Sequence, residues 1–303
     1  PTKSSSPSAW GSIRLGHHCS TQHSIRGCTL VTKVPNESDF KIGPYRVIRH
    51  IAQGGMGAVY EVEDPDRNGR YALKLGANMG ARESKLFDIH RVLNSIPHPG
   101  IVTSHAVGST PDGRSFQLLD LIQGYPAQVF AKGMGIPGTE PRTTAVITVA
   151  IHLADAIAHL HKHNIIHRDI KSANVMVRED KSACLIDFGA AILPDQSPRM
   201  DHFVGTYSYA PPEQIQGRHL DGRADIYAMG VLLYRMLSGR RPFEAETTEA
   251  LIDLHLYSKP TALDTYVRDV PQQVRELAMS MMEKRAEDRP QSADEVARTL
   301  RQA

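Results

Sequence analysis

Two hydrophobic periods divide the chain. From Tyr45, apolar and polar positions alternate, and Tyr45-Arg-Val-Ile-Arg-His-Ile51 predicts a strand. Gln53-Gly-Gly-Met-Gly57 predicts a turn and Ala58-Val-Tyr-Glu-Val62 a second strand. Arg70-Tyr-Ala-Leu-Lys-Leu75 and Phe116-Gln-Leu-Leu-Asp-Leu-Ile122 predict two more. Between them Leu86, Ile89, Leu93 and Ile96 recur at helical spacing, and His98-Pro99 ends that helix. From Thr143 onward the helical period dominates, predicting helices over 146–163, 224–237, 274–283 and 292–301. A small sheet-rich part followed by a larger helical part is an α+β pattern of two lobes, 44–122 and 123–303, with a cleft between them.

Residues 1–43 show no sustained period and are rich in Ser, Thr, Gly and His, which predicts a flexible N-terminal extension. His17, His18, Cys19, His23 and Cys28 crowd together there, but without Cys-x-x-Cys or His-x-x-x-His spacing they are read as incidental.

Composition narrows the functional classes. A net charge of +2 with no basic stripe disfavours nucleic acid as a partner. Three cysteines, Cys19, Cys28 and Cys184, at irregular spacing argue for a reducing, cytoplasmic setting and against a disulfide framework. No apolar run approaches the ~18 to 20 residues that span a bilayer, so no membrane contact is expected from this stretch. The chain opens at Pro1 without Met or a signal segment, which reads as a piece of a longer protein; an anchor outside it stays open, as does the oligomeric state.

The candidate chemistry sits in His167-Arg-Asp-Ile-Lys-Ser-Ala-Asn174, followed by Asp187-Phe-Gly189. A carboxylate, an ammonium and a carboxamide stand at fixed offsets, with a second carboxylate beyond an apolar run. Phosphoryl transfer needs such a set: a group to orient the attacking hydroxyl, a cation near the moving phosphate, and oxygen ligands for a hard metal ion. Upstream, Ile51-Ala-Gln-Gly-Gly-Met-Gly-Ala-Val59 lies between two strands, where glycines let backbone N–H groups approach phosphate oxygens; alone, the pattern fits a plain hairpin equally well. Lys74 lies inside an apolar strand, a costly position unless its ammonium finds a partner.

Together these motifs resemble the catalytic domain of the bacterial, eukaryotic-like (Hanks-type) serine/threonine protein kinases, over about residues 45–301. The resemblance implies a two-lobed kinase fold that transfers the ATP γ-phosphate to Ser or Thr hydroxyls of proteins, with Mg²⁺ as cofactor and Mn²⁺ as an alternative ion. Asp169 would orient the hydroxyl and Lys171 neutralise the γ-phosphate, while Asn174 and Asp187 would hold the metal. Lys74 would meet the α- and β-phosphates. Ile51, Ala52, Gln53, Gly54, Gly55, Met56, Gly57, Ala58 and Val59 would cover the nucleotide. Ala72 and Val59 would lie above the adenine, Met176 below it, Leu119 behind it, and Asp120 and Leu121 on the connector beside it. Gly205-Thr-Tyr-Ser-Tyr-Ala-Pro-Pro-Glu-Gln214 resembles the peptide platform, with Thr206 bonded to Asp169 and Lys171, Glu213 paired with Arg289, and Asp225 anchoring the loop. Arg168 would await an anion, either phosphorylated Ser197 or Asp201.

Three positions depart from the family pattern. Ala52 replaces its first glycine, and Pro-Pro-Glu its Ala-Pro-Glu. Ile89 stands where a helix glutamate partners Lys74. Three readings follow: Asp88 substitutes, the helix is remodelled, or the ion pair is absent. That departure keeps a nucleotide-binding pseudokinase, acting as scaffold or switch, as the alternative. A small-molecule kinase is disfavoured by the platform and Arg289.

Overall fold

The structure, a computed structural model, describes residues 40–54, 57–79, 83–194 and 203–303, with backbone alone at 77–79 and 83–84. The first lobe is a wholly antiparallel six-stranded sheet in the order β1-β2-β3-β4-β6-β5. Its strands are β1 (Lys41–Ile42), β2 (Tyr45–Gly54), β3 (Gly57–Asp64), β4 (Gly69–Met79), β5 (Ser104–Ser109) and β6 (Arg114–Asp120). β1 falls inside the stretch expected to be an extension, because Ile42 is buried with Tyr45 and Val47 against the sheet. Helix α1 (Glu83–Ser95) lies between β4 and β5 and packs on β5.

Strand periodicity decides what faces the cleft. Leu73 and Leu75 of β4 are buried in the sheet's own core with Val62, Phe116 and Leu118. Ala72 and Lys74 therefore point to the opposite side. Register sets Val59 across from Lys74 on one side and Leu119 across from Ala72 on the other. Gly57, at φ +137°, is required by packing: a Cβ there would lie 1.9 Å from the Leu75 carbonyl oxygen.

The second lobe contains α2 (Ala127–Gly133), α3 (Glu140–Lys162), α4 (Pro212–Ile215), α5 (Arg223–Ser238), α6 (Thr248–Tyr257), α7 (Gln272–Ser280) and α8 (Ala293–Arg301). A small sheet joins β7 (Tyr125–Pro126), which precedes the loop that holds the candidate chemistry, to β8 (Val175–Val177) and β9 (Ala183–Leu185), which follow it. α5 is buried along almost its whole length and ends at Gly239, whose φ of +75° makes a left-handed cap. α3 is the one described helix long and apolar enough to cross a membrane. In this fold its apolar residues, Val146, Val149, Leu153, Ile157 and Leu160 among them, are buried in the lobe's core.

The predicted strands and long helices are present. The expectation missed β1 and β5, the three short strands β7, β8 and β9, and helices α2, α4 and α6. Strands of two or three residues hold too few positions to display a period. α6 is capped by Thr247, whose hydroxyl accepts the Ala250 amide, but only His255 along it is buried, so its apolar stripe is weak.

A bidentate ion pair joins α4 to the segment before α8. Arg289 donates Nη1 to Glu213 Oε1 at 2.6 Å and Nη2 to Oε2 at 2.9 Å. It also bonds the carbonyls of Glu283, Arg223 and Lys284, and its side chain is fully buried. Removing one member strands the other, so Glu213→Ala is expected to cost about 3–5 kcal/mol in urea unfolding. Asp294→Ala, which breaks the exposed pair with Lys162, is expected to leave the midpoint nearly unchanged.

Candidate active site

The loop from His167 to Asn174 is shaped by one buried carboxylate. Asp225, fully buried in the first turn of α5, accepts the backbone N–H groups of His167 and Arg168, each at 2.8 Å. His161 Nε2 meets the same carboxylate at 2.9 Å. Burial pushes the Asp225 pKa up, but the His161 contact and neighbouring positive charge outweigh it and hold the group below its ordinary value. With both amides pinned, Arg168 adopts a φ of +65°, a region costly for a residue with a side chain. Its Nε donates to the Ala190 carbonyl at 2.7 Å. The anions expected to answer Arg168, on Ser197 and Asp201, lie outside the described residues.

The turn aims Asp169 into a closed triangle. Thr206 donates its hydroxyl to Asp169 Oδ1 at 2.8 Å, and Lys171 donates to Asp169 Oδ2 at 2.6 Å and to the Thr206 hydroxyl at 2.9 Å. Asn174 spends its amide nitrogen on Asp169, at 2.9 Å to both the backbone oxygen and Oδ2. That leaves Asn174 Oδ1 without a partner among the described residues. The Asp187 carboxylate takes Lys74 Nζ at 2.7 Å and the Gly189 amide at 3.0 Å, both on Oδ1. Burial raises the Asp187 pKa, and the Lys74 ammonium more than offsets that, keeping the group below its usual range. A free carboxamide oxygen and a free carboxylate oxygen are the hard donors a divalent cation takes, so the residues present fit one.

Lys74 thus finds its partner across the cleft and not on α1. Ile89 is buried in the core with Leu93 and Leu119. Asp88 faces solvent and bonds Arg91 at 3.3 Å, which overturns the reading in which it substitutes for the glutamate. Among the described side chains no α1 carboxylate reaches Lys74. α1 is tied to the sheet by neutral bonds instead: His90 Nδ1 meets the Ser104 hydroxyl at 2.8 Å, and Gln117 Nε2 donates to that hydroxyl at 3.0 Å. Gln117 lies across from Lys74 in the β4–β6 register. No local pattern announces this chain, because its members come from a helix and two strands.

On the nucleotide side, Ala52 pairs with Val59 across the β2–β3 hairpin, and Ile51, Ala52, Gln53 and Gly54 are exposed. Ala58 is buried, on the face opposite Val59. Gly55 and Met56 lie outside the described residues. Ala72 packs against the large core beside buried Leu119, and Met176 is half-buried on β8. The Asp120 amide is taken by the Thr103 carbonyl at 3.1 Å and its carboxylate by His105 at 2.6 Å. The amides of Leu121 and Ile122 have no backbone partner among the described residues, which leaves donors on the connector for a ligand.

On the platform side, Gln214 donates to the carbonyls of Arg168 at 3.0 Å and Val204 at 2.7 Å, stitching the platform to the loop. Gly205, at φ +128°, makes room for it, since a Cβ would meet Gln214 Nε2 at 2.7 Å. Gln214 belongs to the platform motif, but its partners were not read from it, and His161 carried no signal, because each works through a backbone or carboxylate far away in the chain.

Residues 45–300 match the protein kinase domain family. The serine/threonine-protein kinase Pkn1 of Myxococcus xanthus is 33% identical over 260 residues, which cover 82% of this chain and 36% of that protein. PknH of Mycobacterium bovis is 30% identical over 268 residues, 86% of this chain and 44% of that protein. The DNA damage-responsive kinase RqkA of Deinococcus radiodurans is 30% identical over 261 residues, 84% of this chain and 39% of that protein. The chain therefore spans less than half the length of each of these relatives.

Ser104→Ala would leave two polar groups unanswered, on half-buried His90 and buried Gln117. It is expected to lower stability by about 1–3 kcal/mol in denaturant unfolding. The double change Ser104→Ala with Gln117→Leu is expected to lose less than the sum of the single changes.

Proposed function

The chain belongs to the protein kinase domain family, and we propose that it transfers the γ-phosphate of ATP to Ser or Thr hydroxyls of proteins. The family's usual cofactors are ATP and a divalent metal; we read the ion as Mg²⁺, with Mn²⁺ able to replace it. The observation that carries the reading is the Asp169–Lys171–Thr206 triangle beside Asn174 and Asp187.

In this reading the Asp169 carboxylate, freed from Thr206 or shared with it, accepts a hydrogen bond from the acceptor hydroxyl and orients its oxygen for attack. Lys171 sets its ammonium beside the transferring group. Asn174 Oδ1 and Asp187 would hold the metal, which when bound neutralises charge on the phosphates. Lys74 exchanges Asp187 for phosphate oxygens. The β2–β3 hairpin, Ala72, Met176, Leu119 and the connector amides enclose the adenosine half. Most of the acceleration comes from position and fixed charge, since the chain forms no covalent intermediate.

The kinase domain is taken as 44–303, with 1–43 a flexible extension, and it is read as facing the cytoplasm, where ATP is available. The pseudokinase reading draws on one observation, that no α1 carboxylate among the described side chains reaches Lys74. Intact Asp169, Lys171, Asn174 and Asp187 weigh against it.

Incubation with radiolabelled ATP and Mg²⁺ tests both readings, following label on the chain itself and on a generic protein substrate. Asp169→Asn is expected to lower incorporation by roughly 10²–10⁴-fold. Equal label in both proteins would remove the catalytic reading and leave the scaffold.

A further inference from the structure

Positive charge gathers beside the peptide platform with little acid to answer it. Arg235 of α5 donates Nη1 to the phenol oxygen of Tyr209 at 2.8 Å and has no carboxylate partner among the described residues. Tyr209 follows Thr206 by three residues, and Thr206 touches Asp169, so Arg235 borders the segment on which an acceptor would lie. α5 then ends, and the chain turns into Arg240 and Arg241. With Lys259, just past α6, these line a cavity of about 300 Å³ whose walls include Phe243 and Tyr266. The Arg240 guanidinium lies over the Tyr266 ring, 5.0 Å from its centroid.

Arg241 and Lys259 have no ion-pair partner among the described residues, and Glu244 is the one carboxylate in the cavity lining. Glu246, Glu249 and Asp253 follow on the loop and α6 but do not line it. Elsewhere, Arg223, Arg285 and Arg301 are neutralised within the chain by Asp221, Glu287 and Asp155. The cavity is also joined to the platform. α5 and α6 both pack against residues 207–209. A substrate chain resting on the platform therefore meets the elements that line the cavity.

We propose that this cavity is a docking subsite for Asp and Glu side chains of the protein substrate, and that Arg235 reads an acidic residue nearer the phosphoacceptor. The proposal rests on the kinase reading and names its substrate class. A guanidinium held near a ring still has N–H groups to offer a carboxylate, which it can take bidentately.

The test uses the 303-residue chain and peptides bearing one Ser and one Thr flanked by Glu, Ala or Lys. Two or three exposed ion pairs amount to roughly ten-fold in affinity, so Glu peptides should exceed Ala peptides in kcat/KM by about that factor, mainly through KM. Lys peptides should fall below Ala peptides. Arg240→Glu with Arg241→Glu should remove the preference and leave turnover of the Ala peptide unchanged. Fluorescence anisotropy of a labelled Glu peptide without ATP reads docking separately, and its binding should weaken in salt and vanish in the double variant. Equal kcat/KM across the peptides, or a Glu preference that survives the double variant, overturns the subsite while the kinase reading stands. Glu-peptide binding lost in the double variant, with no phosphate transferred to any peptide, supports the subsite and overturns the kinase reading.

Discussion

The constraint on which the candidate site depends is the buried Asp225 carboxylate. A charge in the middle of a lobe costs several kcal/mol unless every lone pair finds a donor. Here three donors converge on it: the His161 ring and the amides of His167 and Arg168. The two amides are consecutive, so the carboxylate fixes a peptide unit and not merely a point. The left-handed turn at Arg168 follows from that fixation, and the turn delivers Asp169 to Thr206 and Lys171. The strain at Arg168 persists because Asp225, Gln214 and Ala190 over-determine the position.

The two sides of the cleft are held by different physics. Below it, charged groups are locked to one another: Lys171 to Asp169, Glu213 to Arg289, Asp225 to the loop amides. Above it, α1 is joined to the sheet by neutral hydrogen bonds through Ser104, and by the apolar burial of Ile89. A neutral bond nets about 1 kcal/mol and survives salt, whereas an ion pair across the cleft would respond to whatever charge enters. The position of α1 is thereby uncoupled from the charge state of Lys74.

How much of this was legible in the sequence follows from range. The long helices and sheet strands carry enough residues to display a period, and the catalytic-loop residues sit within one short stretch, so both could be read directly. The Thr206 and Arg289 contacts were reachable only through the family resemblance, and the structure forms both. What could not be read were partners set by tertiary approach: His161 on Asp225, Gln214 on the Arg168 carbonyl, and Gln117 on the Ser104 hydroxyl. Each uses a residue type common on surfaces, and nothing adjacent in the chain distinguishes it. Asp88 illustrates the converse. It was a candidate because it stands next to Ile89, yet one helix step is about 100° of rotation, and the structure turns it to solvent.

The replacement at Ile89 therefore changes the partner of Lys74 and leaves the lower site intact. In kinases with the helix glutamate, that residue competes for the lysine; here the described structure offers it Asp187. An ammonium and a carboxylate that satisfy each other are a stable pair at 2.7 Å, and the same two groups are those required by phosphate and metal. In the proposed function, nucleotide with its ion would replace one opposite-charge contact by two, so the exchange would leave no stranded charge. Without its ion, nucleotide would draw Lys74 away and leave the half-buried Asp187 carboxylate without its cation and near further negative charge, which desolvation makes worse. In the proposed function the Lys74–Asp187 pair would thus couple nucleotide binding to metal binding, by the same balance of opposite charge and desolvation that makes Asp225 hold the loop.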